Sequence, residues 1–166
     1  RVISAGDGVM PVDQMISAID GNTRAVTLSS VTFAPGFRSD MAAVGRVCRE
    51  HDALFLVDGG QSVGVLKTDV AAEYIDAMAV STQKGLLGLY GMGFLYCRND
   101  WANRLTPAYL ARFGVDFGEG AHEAALGGDD WKLMPGARRF DLGNYNFMAA
   151  AAVRPPLTMM LDIGPD

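Results

Sequence analysis

A succession of short apolar runs, set between segments of helical periodicity, constrains this chain more than any other feature. Arg24 to Ser29 reads RAVTLS, Ala53 to Val57 reads ALFLV, Ala77 to Val80 reads AMAV, and Gly93 to Cys97 reads GFLYC. Runs this short, rich in valine and aromatic residues, are read as strands of a buried sheet. ALFLV is almost continuously apolar and leads into Asp58, the pattern of a parallel strand buried on both faces. Between the runs the period changes. Asp40 to Glu50 puts Met41, Val44, Val47 and Cys48 on one helical stripe. Pro11 to about Ile19 forms an earlier helix, with proline in the first turn and Met15, Ile16 and Ile19 at helical spacing. Thr68 is expected to cap a helix over DVAAEYI, and another begins at Trp101. From about Pro107 to Arg139 the period decays into a surface excursion with short helices. Strand and helix in alternation predict an α/β fold with a mostly parallel sheet flanked by helices.

Composition bounds the function. A chain of 166 residues, 49% hydrophobic and 20% charged, is long enough for one globular domain with its own core. A net charge of −5 argues against nucleic acid and against an anionic membrane surface, since both call for a basic face. Apolar stretches are broken by glycine or charge, so no membrane span is expected, and no signal peptide is visible. Cys48 and Cys97 lie far apart, without a CxxC motif or a paired histidine cluster. They read as reduced thiols of a cytoplasmic protein, with no metal centre. The chain opens on Arg1 and ends in the helix-like MMLDIGPD, which reads as the central part of a longer protein.

The polar residues at the ends of the strands carry the chemistry. In an open α/β sheet, ligands collect outside the carboxyl ends of the strands. Asp58 ends ALFLV and is followed by Gly59, Gly60 and Gln61. Ser81, Thr82, Gln83 and Lys84 follow AMAV, and Ser29 and Ser30 close the first run. If these strands are neighbours, a carboxylate, an amine and several hydroxyls share one crevice. That set suits pyridoxal 5'-phosphate (PLP). A carboxylate keeps the pyridine nitrogen protonated, so the ring accepts electrons from a substrate carbanion. A lysine forms the Schiff base and then serves as the base near Cα. Hydroxyls and backbone amides hold the phosphate.

FLVDGGQSVG followed by AVSTQKGLLGLYGMGFLYCR resembles the class V aminotransferase group of fold-type I PLP enzymes, which includes cysteine desulfurases and isopenicillin N epimerase-like proteins. The group's pattern is an aspartate and a glutamine three residues apart, then Ser-x-His-Lys, then a glycine-rich turn into a Gly-x-Leu strand. The resemblance implies that Asp58 pairs with the pyridine nitrogen, Gln61 lies near the ring hydroxyl, Ser81 binds phosphate and Lys84 forms the Schiff base. SSVTFAPGFRSDM is similar to the group's Ser-His/Asn-Val segment, with Ser30 at the cofactor-contacting position. RRFDLGNYN resembles Arg-x-Glu-x-Gly-Thr-x-Asn, which places Asn144 where a threonine reaches the phosphate of the partner subunit. Gln83 stands in place of the usual histidine, and an amide still donates to phosphate. The resemblance further implies residues 1–166 as one PLP-binding large domain, partial at both ends, in a homodimer.

Plainer readings stand beside these. A lone lysine after a strand is ordinarily a solvated residue, and Lys84 is set apart only by its spacing from Asp58 and Gln61. Gly85, Gly88, Gly91 and Gly93 lead into a strand and not into a helix, so they make a backbone turn and not a dinucleotide loop. His51 and His122 read as surface residues, Arg38 as solvated or paired with Asp40, and Cys97 as core. The leading function is a PLP-dependent enzyme that transaminates or epimerises an amino acid or related amine. The alternatives are a non-catalytic scaffold that keeps the fold, and a cysteine desulfurase whose catalytic cysteine lies outside this chain.

Overall fold

The computed structural model describes residues 1–118 and 131–164. In chain order its elements are α1 (Val12–Ala18), β1 (Ala25–Ser29), α2 (Met41–Glu50), β2 (Leu54–Asp58), β3 (Ala77–Ser81), β4 (Gly93–Cys97), α3 (Asn99–Arg104), β5 (Val115–Asp116), β6 (Lys132–Leu133) and α4 (Phe147–Ile163). They form two compact units, one of Arg1–Tyr96 with Asn146–Asp166, the other of Cys97–Tyr145.

In the first unit the sheet runs in the order β1-β2-β3-β4. β1, β2 and β3 are parallel, with Val26 beside Phe55, Leu28 beside Val57 and Val57 beside Met78. The amide of Thr82 donates to the Met92 carbonyl at 3.1 Å, so the end of β3 meets the start of β4 and the chain turns back. Helix α2 forms where the stripe predicts it. Asp40 is its N-cap and accepts from the Ala43 amide at 3.0 Å, a cap that contributes about 1 kcal/mol. Met41, Val44 and Cys48 of α2 pack with Val26, Leu28, Phe55, Val57, Met78 and Val80 of the sheet, in a cluster that also takes in Ile19, Ala53, Ile75, Leu86 and Val153. Phe55 is fully buried, which alone stabilises by about 3 kcal/mol. Gly45 lets α2 come so close. A Cβ there would stand 2.4 Å from the Glu73 carbonyl oxygen and 2.9 Å from the Tyr74 Cβ.

Two expectations are corrected here. ALFLV is not buried on both faces. Phe55 and Val57 are buried, but Leu54 and Leu56 on the opposite face are only half-buried, and their neighbours Ala25 and Thr27 in β1 are exposed. The helices cover one side of the strand, and apolar residues on both sides do not reveal which. The helix expected after Thr68 is also absent. Asp69, not Thr68, takes the capping role, accepting from the Ala71 and Ala72 amides at 3.0 Å. The segment then closes in one turn, Ile75 N to Val70 O at 2.9 Å, with Tyr74 at φ 57. A left-handed residue this early stops propagation before a second turn forms.

The second unit holds α3 and the two-stranded antiparallel pair β5–β6. A 3-10 turn spans Gly136–Phe140, where Arg139 donates to the Asn103 side chain at 2.9 Å and to the Met134 carbonyl at 3.2 Å. The described parts of the excursion thus contain a short ladder besides one short helix, the 3-10 turn. His122 lies outside the described residues.

Cys48 offers a test of the core. Burial, helped by the Asp76 carboxylate, pushes its thiol up from 9.0 to about 12. The folded protein therefore holds this proton more tightly than the unfolded chain does. The resulting stabilisation is complete below the unfolded value of 9.0 and is lost as pH rises towards about 12. At about pH 8 a thiol reagent should leave Cys48 untouched in the native protein and modify it in denaturant. Modification of the native protein at the rate of a free thiol would contradict this burial.

Candidate active site

The parallel register aligns the polar residues. Ser29 lies beside Asp58 and Asp58 beside Ala79, with Ser81 closing β3. Both carboxylate oxygens of Asp58 are engaged. Oδ2 accepts from the Ser29 hydroxyl at 3.2 Å, and Oδ1 accepts from the Gly60 amide at 2.8 Å. These bonds fix the plane of a carboxylate whose residue is exposed to solvent. Asp58, Ala79, Ser81, Gly93 and Phe94 line a shallow hollow of about 430 Å³ at this end of the sheet.

Gly60 reveals how closely the groups converge. A Cβ on it would stand 3.0 Å from Asp58 Oδ1 and 3.6 Å from both Lys84 Nζ and Ser81 Oγ. An acid, an amine and a hydroxyl therefore surround one point that carries no side chain of its own. The backbone around Lys84 is placed just as tightly. Gly64 has φ +90, and a Cβ there would lie 2.5 Å from the Gly85 carbonyl carbon and oxygen. A Cβ on Gly85 would lie 2.5 Å from the Val63 carbonyl oxygen. Backbone meets backbone at this contact, which docks the turn carrying Lys84 against the loop that follows Asp58.

The other expected residues are placed differently. Ser30 is buried, with its hydroxyl 3.1 Å from the Asp58 carbonyl and 2.6 Å from the Ser62 hydroxyl. These bonds tie the end of β1 to the loop after β2. Gln61 and Gln83 are half-buried in the first unit, on the loops after Asp58 and Ser81. Asn144 is exposed on an irregular segment of the second unit. Arg38 is exposed and lines a separate cleft of about 310 Å³ with Ser39, Lys67 and Glu73. Burial pushes the Glu73 carboxyl up while Arg38 pulls it down. His51 is exposed and Cys97 buried, as their plainer readings had it. The glycines after Lys84 do form a turn into β4. Among the described residues, no group of three or more histidine, cysteine or acidic side chains is arranged to hold a metal. No described helix is long and apolar enough to cross a membrane.

Ser29 and Thr82, which the sequence sets at the strand ends without a role of their own, bond to Asp58 and across the turn after Lys84. The signal for Ser29 is its place at the end of a strand beside the one that ends on Asp58, but pairing of those strands is a tertiary fact. Thr82 occupies the unspecified position of the Ser-x-x-Lys run, where the sequence gives its place at the strand end and not its partners.

The aminotransferase class-V family model matches residues 2–157, nearly the whole chain, including every strand-end residue described above. The chain belongs to the class V aminotransferase family. It is 32% identical over 164 residues to a Bacillus subtilis protein named as the uncharacterized aminotransferase YcbU, covering 98% of this chain and 41% of that protein. It is 32% identical over 165 residues to a probable cysteine desulfurase of Methanothermobacter thermautotrophicus, covering 99% of this chain and 39% of the other. The chain thus spans about two fifths of these relatives. Solved structures share the fold. A cysteine desulfurase from Thermococcus onnurineus NA1 superposes with a TM-score of 0.78 at 23% identity, over 95% of this chain and 37% of that one. A C-DES variant with glycine covalently linked to its PLP cofactor gives 0.78 at 23% identity, over 93% of this chain and 40% of that one. The class V chain described here has the expected fold, a mostly parallel sheet flanked by helices.

Proposed function

We propose that this chain is the cofactor-binding part of a PLP-dependent enzyme that acts on an amino acid, with Lys84 as the point of covalent attachment. The observation that carries the reading is the convergence of Asp58 Oδ1, Ser81 Oγ and Lys84 Nζ around Gly60. The residues fit the group: an acid for a pyridine nitrogen, a hydroxyl for a phosphate and an amine for an aldehyde, around a point with no side chain. When bound, PLP supplies an electron sink for charge developing at a substrate Cα. Asp58 is the carboxylate that keeps the ring nitrogen protonated, held in orientation by Ser29 and Gly60. Ser81 and Gln83 are phosphate donors, and Gln61 is the amide for the ring hydroxyl. Lys84 would be the amine that holds the group and the base for a substrate Cα proton. Ser30 acts one step back, through its bond to the Asp58 carbonyl.

The same reading takes residues 1–166 as part of one cofactor domain in a homodimer. Leu87, Leu89, Tyr90 and Phe94 are all exposed, an apolar surface of the kind that a second subunit covers. Asn144 is then a donor towards the partner's phosphate. The proposal is committed to one step, transfer of a substrate Cα proton to Lys84. Transamination or epimerisation needs no further nucleophile. Desulfurisation needs a cysteine thiolate as well; Cys48 and Cys97 are buried, so that thiolate would come from outside this chain, and the relatives named cysteine desulfurase support this second reading.

The test adds PLP to the protein, follows the visible absorption, traps with borohydride and maps the modified peptide. The expected result is one equivalent of modification on Lys84. Modification spread over surface lysines, or none, would sink the proposal. Cysteine and a set of other amino acids, the latter with a 2-oxo acid, then separate sulfide release from amino transfer.

A further inference from the structure

We infer that Thr82 is a positioning residue for Lys84, a latch that holds closed the turn on which the lysine is carried. The inference rests on Lys84 as the cofactor-bearing amine. Thr82 is 1% exposed, yet it lies only two residues from an exposed lysine. Its single hydroxyl proton is shared between two carbonyls across the turn, Leu89 O at 3.1 Å and Met92 O at 3.0 Å. Its amide also donates to Met92 O at 3.1 Å, and its own carbonyl accepts from the Gly88 amide at 2.8 Å. One residue thus ties the start of the segment from 83 to 92 to residues 88, 89 and 92 of its far half.

The segment has cause to open. Leu87 sits at φ 56, in the left-handed region that a leucine avoids. It is held there by a bond from its amide to the Lys84 carbonyl at 2.9 Å. Backbone in such a region persists only when its surroundings over-determine it. Within this chain the far half of the turn is little packed, because Leu87 is 61% exposed, Leu89 53% and Tyr90 81%. Thr82 supplies much of the constraint: Gly88 is pressed between it and Val153, so that a Cβ there would stand 2.9 Å from the threonine Cβ and 3.0 Å from Val153 Cγ2. Removing the hydroxyl takes the donor from the Leu89 carbonyl and leaves the strained residue to relax. The backbone that relaxes includes Lys84, whose carbonyl closes the turn.

The experiment compares the protein with Thr82→Val, which keeps the shape, and Thr82→Ser, which keeps the hydroxyl. Thr82→Ala repeats the comparison with a smaller side chain should the valine variant fail to fold, and near-UV circular dichroism checks each. Two quantities are read: amide exchange at Gly88 without cofactor, and the rate of borohydride-trappable PLP attachment at Lys84. Losing one hydrogen bond of ordinary net strength should accelerate exchange by about tenfold. Attachment should slow by a similar factor, and Thr82→Ser should restore both. Unchanged exchange overturns the latch. Faster exchange with attachment at the wild-type rate also overturns the inference, since the turn would then loosen without consequence for the lysine. A wild-type protein that never attaches PLP removes the cofactor reading and this inference together. A valine variant that attaches at full rate removes this inference alone.

Discussion

Lys84→Ala should leave a folded protein that carries no covalently attached PLP and turns over substrate roughly 10⁴-fold more slowly, the scale expected when one group is both attachment point and base. The fold should be spared. Lys84 is exposed, and substitutions at exposed positions ordinarily change stability by about 0.5 kcal/mol or less. Melting temperature and far-UV dichroism should therefore match the wild type while the visible absorption disappears. The carboxylate and hydroxyl remain in place, since Asp58 is held by Ser29 and Gly60 and not by the lysine. PLP should consequently still bind, but be removed by gel filtration. An alanine variant that keeps trappable PLP would overturn the assignment of Lys84 and move it to another amine.

The sequence was most legible where one residue type carries the information. Asp58 at the end of an apolar run, and Lys84 beyond a second one, could be placed at the same sheet edge without any knowledge of strand order. The order of β1, β2 and β3 then made them neighbours. Burial was harder to read. Leu54 and Leu56 are as hydrophobic as Phe55 and Val57, so the run cannot tell which face the helices cover. The turn at 70–74 failed for a different reason. DVAAEYI has the apolar spacing of a helix, but the single turn closed at Ile75 delivers the chain directly into β3, starting at Ala77. Ser29 and Thr82 act through partners that are 29 and 7 to 10 residues away. Contacts of that range leave no periodic trace. The glycines fall between these cases. Their turn into β4 was readable, while the need for Gly64 and Gly85 at a backbone-to-backbone contact was not.

That contact supplies the second large effect, which a pair of variants separates from stability. Gly45→Ala and Gly85→Ala should each cost about 3 kcal/mol, because each new methyl meets a backbone oxygen that cannot turn aside. The Cβ on residue 45 would lie 2.4 Å from the Glu73 carbonyl oxygen, and that on residue 85 would lie 2.5 Å from the Val63 carbonyl oxygen. For a chain of this size such a cost lowers the melting temperature by roughly 10 °C. The two differ in what the strain moves. Gly45 lies in α2 and presses on the segment before β3, so its strain is absorbed in the helix-covered side of the core. Gly85 follows Lys84 directly and faces Val63 and Gly64, in the loop that follows Asp58. Forcing that contact apart separates the amine from the acid and hydroxyl gathered at Gly60. Well below both melting transitions, Gly45→Ala should attach PLP at nearly the wild-type rate, and Gly85→Ala at least about tenfold more slowly, as expected for a reacting group displaced by about 1 Å. Equal rates in the two variants would mean that the docking of Gly85 on Val63 and Gly64 serves the fold alone.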